Sequence, residues 1–195
     1  MNCMDRSMIP EWIILNNQII DENGEIKSLN KDKDAVRSYF LNYVNKKTQF
    51  FHSLEEKIEY LIENEYYESR IFKPYTMKQI HEIYNIAYKA KFRFPSYMGA
   101  FKFYNDYALK SRDGNNFLER YEDRLSVNAL YHAGGDFQKA KRIIHSLISQ
   151  DFTPATPTLL NTGKRHRGEF VSCFLMEAGD SLNDISRISE FSMQL

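Results

Sequence analysis

The side chains best suited to chemistry are concentrated in one stretch, TPATPTLLNTGKRHRGEFVSCFLMEAGD, from Thr153 to Asp180. It holds Cys173, one of two cysteines in the chain, and three of the eight glycines. Its first part is rich in hydroxyls: Thr153, Thr156, Thr158 and Thr162. Its second part, Phe170 to Met176, is short, apolar and β-prone, and with Gly168 and Gly179 on either side it reads as a buried strand. A thiol inside a buried strand is ordinarily inert packing. Cys173, however, follows Ser172, and a Thr/Pro turn seventeen residues upstream can fold beside it, which leaves a reactive thiol as the second reading.

Other residue types offer weaker signals. His52, His81, His132, His145 and His166 have no metal-ligand spacing with one another or with Cys3 and Cys173, so no metal site is expected. The run Lys164-Arg165-His166-Arg167 can contact phosphate or can be a solvated turn. Tyr97 to Arg112 interleaves aromatic and basic residues as a single-strand nucleic-acid surface does. At helical spacing, the same aromatics read as core. Glu119, Glu122 and Asp123 alternate with Arg120 and Arg124, a pattern of paired charges on a helix.

The elements that must carry these residues are mostly helices. Glu11 to Ile20 is apolar around Asn16-Asn17 and reads as a short hairpin or an irregular lead-in, followed by a turn at Glu22-Asn23-Gly24. A helix is expected from about Lys33, with Ala35, Val36, Tyr39, Phe40, Tyr43 and Val44 at helical spacing. Ser53 with Glu56 three residues on makes a capping-box signature for the next, and Thr76 and Ser96 cap two more. A fifth helix is expected from Phe117 to His132, stopped at Gly134-Gly135, and a sixth is capped by Asp136. The Thr/Pro segment reads as a shaped loop, then comes the strand, then a last helix capped by Asp180 or Ser181. Two domains follow: a helical one over 1–150 and an incomplete α/β unit over 151–195. The apolar helical pattern runs to Leu195 without a C-cap signal, which reads as the front of a larger protein.

Composition narrows the function classes. The 195 residues carry zero formal net charge, so no global field draws them to nucleic acid or to an anionic membrane. Aromatic residues make up 14%, which argues against disorder. No run reaches the ~20 apolar residues of a membrane span. Two cysteines suit a reducing, cytoplasmic setting better than a disulfide framework.

The run ATPTLLNTGK…RGEFVSCFLMEAGDSL resembles the start of the catalytic barrel in the large (α) subunit of class I ribonucleotide reductases, and class Ib most of all. The resemblance continues upstream through FFHSLEEKIEYLIENEYYE, FKFYNDYALKSRDG and FLERYEDRLSVNALYHAGGD. It implies an N-terminal helical domain followed by the first strand and helix of a ten-stranded α/β barrel. It also implies reduction of ribonucleoside diphosphates to deoxyribonucleoside diphosphates by a thiyl-radical mechanism. Within it, Cys173 matches one thiol of the redox pair, with the partner thiol outside this chain. Thr156 and Ser172 match positions that contact the substrate diphosphate, and Asp180 matches a position at the site of a deoxynucleotide triphosphate effector. The implied partners are a metal-containing β subunit that supplies the radical, the rest of the α subunit, a second α subunit, and a thioredoxin- or glutaredoxin-like reductant. The chain alone is expected to be inactive. The alternative is a non-catalytic helical module that regulates or complements a host reductase.

Overall fold

The computed structural model describes residues 9–17 and 29–194. The order is α1 (Glu11–Asn17), α2 (Leu29–Tyr39), a π-helical segment Phe40–Val44, α3 (Asn45–Lys47), α4 (Leu54–Glu63) and a 3-10 turn Ser69–Ile71. Then come α5 (Met77–Lys89), α6 (Tyr97–Lys102), a second π segment Phe103–Tyr107, α7 (Tyr121–Ala133), α8 (Phe137–Ile148), α9 (Thr156–Asn161) and α10 (Leu182–Gln194). Among the described residues, β pairing is limited to the isolated bridges Thr48 with Phe117, Tyr67 with Lys164, and Lys110 with Phe117. The chain is thus mostly α, as its sequence pattern requires. Cys3 and the turn at Glu22-Asn23-Gly24 lie outside the described residues.

The helix starts follow from side chains that satisfy the orphan N–H groups of a first turn. Ser53 accepts from the Glu56 amide, and the Glu56 carboxylate accepts from the His52 amide at 2.7 Å. Thr76 and Gln79 form a full capping box. Ser96 and Asp136 accept from the amides of Gly99 and Lys139. At its other end α7 stops on Gly134, whose φ of 61° is the left-handed conformation that glycine enters without a Cβ penalty.

Two apolar clusters hold these helices. The larger joins α4, α5, α7 and α8 through Leu61, Ile80, Ile83, Leu125, Leu130 and Ile144. The smaller is aromatic and joins α2 to α6 and its π segment through Tyr39, Tyr97, Phe103, Tyr104 and Phe117. Tyr107 and Tyr121 pack against both. The interleaved aromatics of residues 97–112 are therefore largely core.

Several expectations need correction. Glu11–Asn17 is helical, and Trp12 packs edge-on to Tyr39 at 5.7 Å. α7 begins at Tyr121, because Phe117 and Leu118 spend their amides on Lys47 and Leu109 carbonyls instead. The Thr/Pro segment contains a helix, α9, whose Pro157 sits in the first turn, where no intrahelical N–H is lost. Phe170–Met176 is not a strand here. It is irregular, with Val171 68% and Leu175 101% exposed, since none of the described residues offers a ladder partner. α10 buries none of its residues.

Candidate functional site

The stretch that carries Thr156 to Asp180 leaves the helical body through a tightly fixed turn. Gly163 has φ of +78°, and a Cβ there would meet Val127 Cγ1 at 2.6 Å and Ile71 Cδ1 at 2.8 Å. Only glycine lets the backbone pass this close to α7. The Gly163 carbonyl accepts from the Glu68 amide at 3.0 Å, and the Arg165 amide donates to Tyr66 O at 2.9 Å. Asn161 then clamps the next turn, accepting from the Gly168 amide and donating to Glu169 O at 2.8 Å. Arg167 pairs with Glu68 and lies 5.0 Å over the Phe170 ring, which itself packs on Tyr131.

Beneath that turn lies a buried polar network. Glu119 and Arg124 are both 0% exposed and sit 3.2 Å apart. Glu119 accepts from the Tyr67 hydroxyl and, at 2.9 Å, from the Leu109 amide. Arg124 donates to the Thr162 carbonyl, fixing the residue before Gly163. Thr162 is also held by its own hydroxyl, which donates to Thr158 O at 2.6 Å. Lys164 is half-buried beside this cluster, and burial pushes its pKa down to about 8. The charge pattern read from the sequence as a helix surface is thus partly a core device. Nothing local distinguishes a buried Glu–Arg pair from an exposed one, because the partners that cover it, Tyr67 and the Thr162–Lys164 turn, are distant in sequence.

Of the four candidate site residues Thr156, Ser172, Cys173 and Asp180, Thr156 is the one engaged with the body. Its Oγ1 lies 3.0 Å from Tyr107 Oη. Ser172, Cys173 and Asp180 are exposed on the segment beyond the clamp. Among the described residues, Thr156 bonds to Tyr107 and to neither Ser172 nor Cys173. Ser181, not Asp180, caps α10: its hydroxyl accepts from the Asp184 amide at 3.1 Å. Asp180 is left free of a capping role. In the basic run, Lys164 and Arg167 turn toward the body, while Arg165 and His166 remain exposed. Among the described residues, a cavity of about 710 Å³ between α2 and the Phe92–Pro95 and Arg120–Glu122 segments is lined by none of Thr156, Ser172, Cys173 and Asp180.

Comparison with known proteins accounts for nearly the whole length. Residues 12–92 match the family model described as ribonucleotide reductase N-terminal, and residues 93–167 match that of the ribonucleotide reductase all-alpha domain. The chain is 58% identical over 187 residues to the ribonucleoside-diphosphate reductase NrdEB subunit alpha of Bacillus subtilis, covering 96% of this chain and 17% of that protein. It is 53% identical over 192 residues to a ribonucleoside-diphosphate reductase subunit alpha of the same organism, covering 98% and 27%. A subunit alpha from Mycoplasma genitalium is 46% identical over 164 residues, covering 84% and 23%. The chain therefore spans roughly a sixth to a quarter of the relatives it matches.

Proposed function

Because the chain belongs to the ribonucleotide reductase family, we propose that it is the N-terminal part of a ribonucleoside-diphosphate reductase α subunit and works only as part of the larger enzyme. The observation that carries this reading is the way the body fixes residues 162–170 and then presents Ser172 and Cys173 exposed and, among the described residues, unpaired with any strand. A barrel supplied by the rest of the subunit would give Phe170–Met176 its ladder partners and make it the first strand. The division into a helical domain over 1–150 and a barrel start over 151–195 goes with this reading.

Within the completed site, each residue has a task suited to its chemistry. Thr156 and Ser172 hydroxyls donate to oxygens of the substrate diphosphate. Cys173 is one of two thiols that together supply two electrons and two hydrogens. One hydrogen leaves with the 2′-hydroxyl as water, the other ends on C2′, and the two sulfurs close a disulfide that an external dithiol protein reopens. A thiyl radical formed on a further cysteine of the subunit removes and returns the 3′-hydrogen. The radical originates in a separate metal-containing β subunit. Asp180 faces the effector: a carboxylate suits a sugar hydroxyl of a deoxynucleotide triphosphate and repels its phosphates. The last helix lies toward a second α subunit. The setting is cytoplasmic, in keeping with reduced thiols.

The test is Cys173→Ser in the completed subunit. Turnover with the dithiol reductant should be lost, while the fold and diphosphate binding persist, since serine is nearly isosteric. Wild-type multiple turnover in that variant would remove Cys173 from the redox pair.

A further inference from the structure

We propose that Tyr107 is a positioning residue for the Thr156 hydroxyl, holding it as a donor toward the substrate diphosphate; this rests on the reading of Thr156 given above. The two hydroxyls meet at 3.0 Å across forty-nine residues of sequence, so the pairing is made by the fold and not by a local turn. Two features aim the tyrosine. The first is the π segment Phe103–Tyr107, closed by the Ala108 amide donating to Phe103 O, five residues back, at 2.9 Å. One extra residue in that turn takes Tyr107 off the register of an α-helix, and such insertions recur at functional sites. The Tyr107 ring lies parallel to that of Phe103, with an interplanar angle of 2° and centroids 6.3 Å apart. The second is a clamp on its backbone. The Tyr107 carbonyl accepts from Lys164 Nζ at 3.4 Å, and two residues on the Leu109 amide is held by Glu119. The backbone is therefore held by the same network that fixes the turn after α9, and the ring by Phe103.

The chemistry favours one direction for the shared proton. Phosphate oxygens only accept, whereas a threonine hydroxyl has a single proton and two lone pairs. When Tyr107 donates to Thr156 Oγ1, the threonine proton is free for the phosphate, and the tyrosine bond polarises it in the same sense. Without that donor, Thr156 can turn its proton toward water or a backbone carbonyl.

The experiment joins this chain to the remaining C-terminal part of the Bacillus subtilis relative and measures cytidine diphosphate affinity by calorimetry, KM and kcat by turnover, and thermal unfolding. Wild type is compared with Tyr107→Phe, Thr156→Val and the double variant. Tyr107→Phe should weaken diphosphate binding and raise KM roughly three- to tenfold. It should leave kcat within about twofold and the unfolding temperature unchanged, and the double variant should bind no more weakly than Thr156→Val. If the folded wild-type chimaera binds no diphosphate, or Thr156→Val binds as wild type does, the reading of Thr156 fails and the proposal with it. If Thr156→Val weakens binding while Tyr107→Phe does not, or the two effects add, the proposal alone is overturned. A fall in unfolding temperature with kcat and KM moving together in Tyr107→Phe also overturns it, because that is the signature of a structural role.

Discussion

At the scale of single residues, the turn over α7 concentrates the strongest constraints. Gly163→Ala would force a Cβ into Val127 and Ile71 at a left-handed φ. The backbone penalty is about 1–2 kcal/mol and the overpacking adds about 1–3 kcal/mol. The expected result is a loss of about 2–5 kcal/mol in urea unfolding, with the unfolding slope unchanged. Lys164 makes an opposite prediction. Its folded pKa of about 8 lies below the ordinary lysine value of 10.5 because burial disfavours the ammonium. Between these values the unfolded chain holds a proton that the folded one has released, so this residue makes stability rise with pH across that window. Below pH 8 both states are charged and the burial penalty is fully present. Lys164→Met should therefore stabilise the fold at pH 7 by about 1–3 kcal/mol and flatten the rise above pH 8, as urea unfolding over a pH series will register. A variant less stable at pH 7 would mean that the Lys164 contact with the Tyr107 carbonyl outweighs the cost of desolvation.

At the scale of elements, the sequence was most legible where side chains cap helices. Ser53, Thr76, Ser96 and Asp136 all accept from the amides their positions implied. Legibility failed where the deciding partner is distant. Nothing near Trp12 signals that Tyr39 and Tyr43 will cover it, so the stretch that forms α1 reads as a short hairpin or an irregular lead-in. Thr156–Asn161 looked like a loop because its Thr and Pro residues are read as turn formers, whereas the first turn of a helix accepts both. The π segments leave no periodic signature, because one inserted residue does not disturb the aromatic spacing enough to be seen. Around the candidate site, Cys173, Thr156, Ser172 and Asp180 are read only through the family resemblance of their run, while the contact of Tyr107 with Thr156 has no signal in the sequence, because it forms only on folding. The strand read at Phe170–Met176 has the right residues and lacks the neighbours. Hydrogen exchange on the isolated chain should therefore show weak protection from Val171 to Met176 and strong protection from Ile143 to Leu147, within α8, where Ile144 and Leu147 are buried. Equal protection in the two segments would mean that residues 170–176 are already paired and need no barrel.

At the scale of the whole molecule, burial divides the described residues into a packed body and an exposed limb. The larger cluster encloses fully buried Leu61, Ile83, Val127 and Ile144, together with a satisfied bond from Tyr75 Oη to Leu130 O at 2.9 Å. On the proposed division into domains, this body should unfold as one cooperative unit. The limb instead exposes Phe174, Leu175, Leu182, Ile185 and Met193, all at 51% or more, with the backbone of residues 170–176 outside any ladder. An apolar segment with free amides and carbonyls has a strong tendency to associate with a complementary edge. Adding the remaining part of an α subunit in trans should bury both the segment and α10, and the change should be visible as new amide protection over 170–194 with little change in α4, α5, α7 and α8. Function should follow the same division. On the proposed reading the reaction needs three thiols at one centre, and the 195-residue polypeptide has two cysteines, Cys3 and Cys173, so alone it should form no deoxynucleotide from a ribonucleoside diphosphate, β subunit and reductant included. Activity should appear only in the complemented mixture and should disappear there with Cys173→Ser. Deoxynucleotide formation by the polypeptide alone would show that its exposed limb is a working site and would overturn the assignment of the missing chemistry to the rest of the subunit. Complementation that orders the limb but restores no turnover would instead favour a helical partner module that docks on a reductase without contributing a thiol.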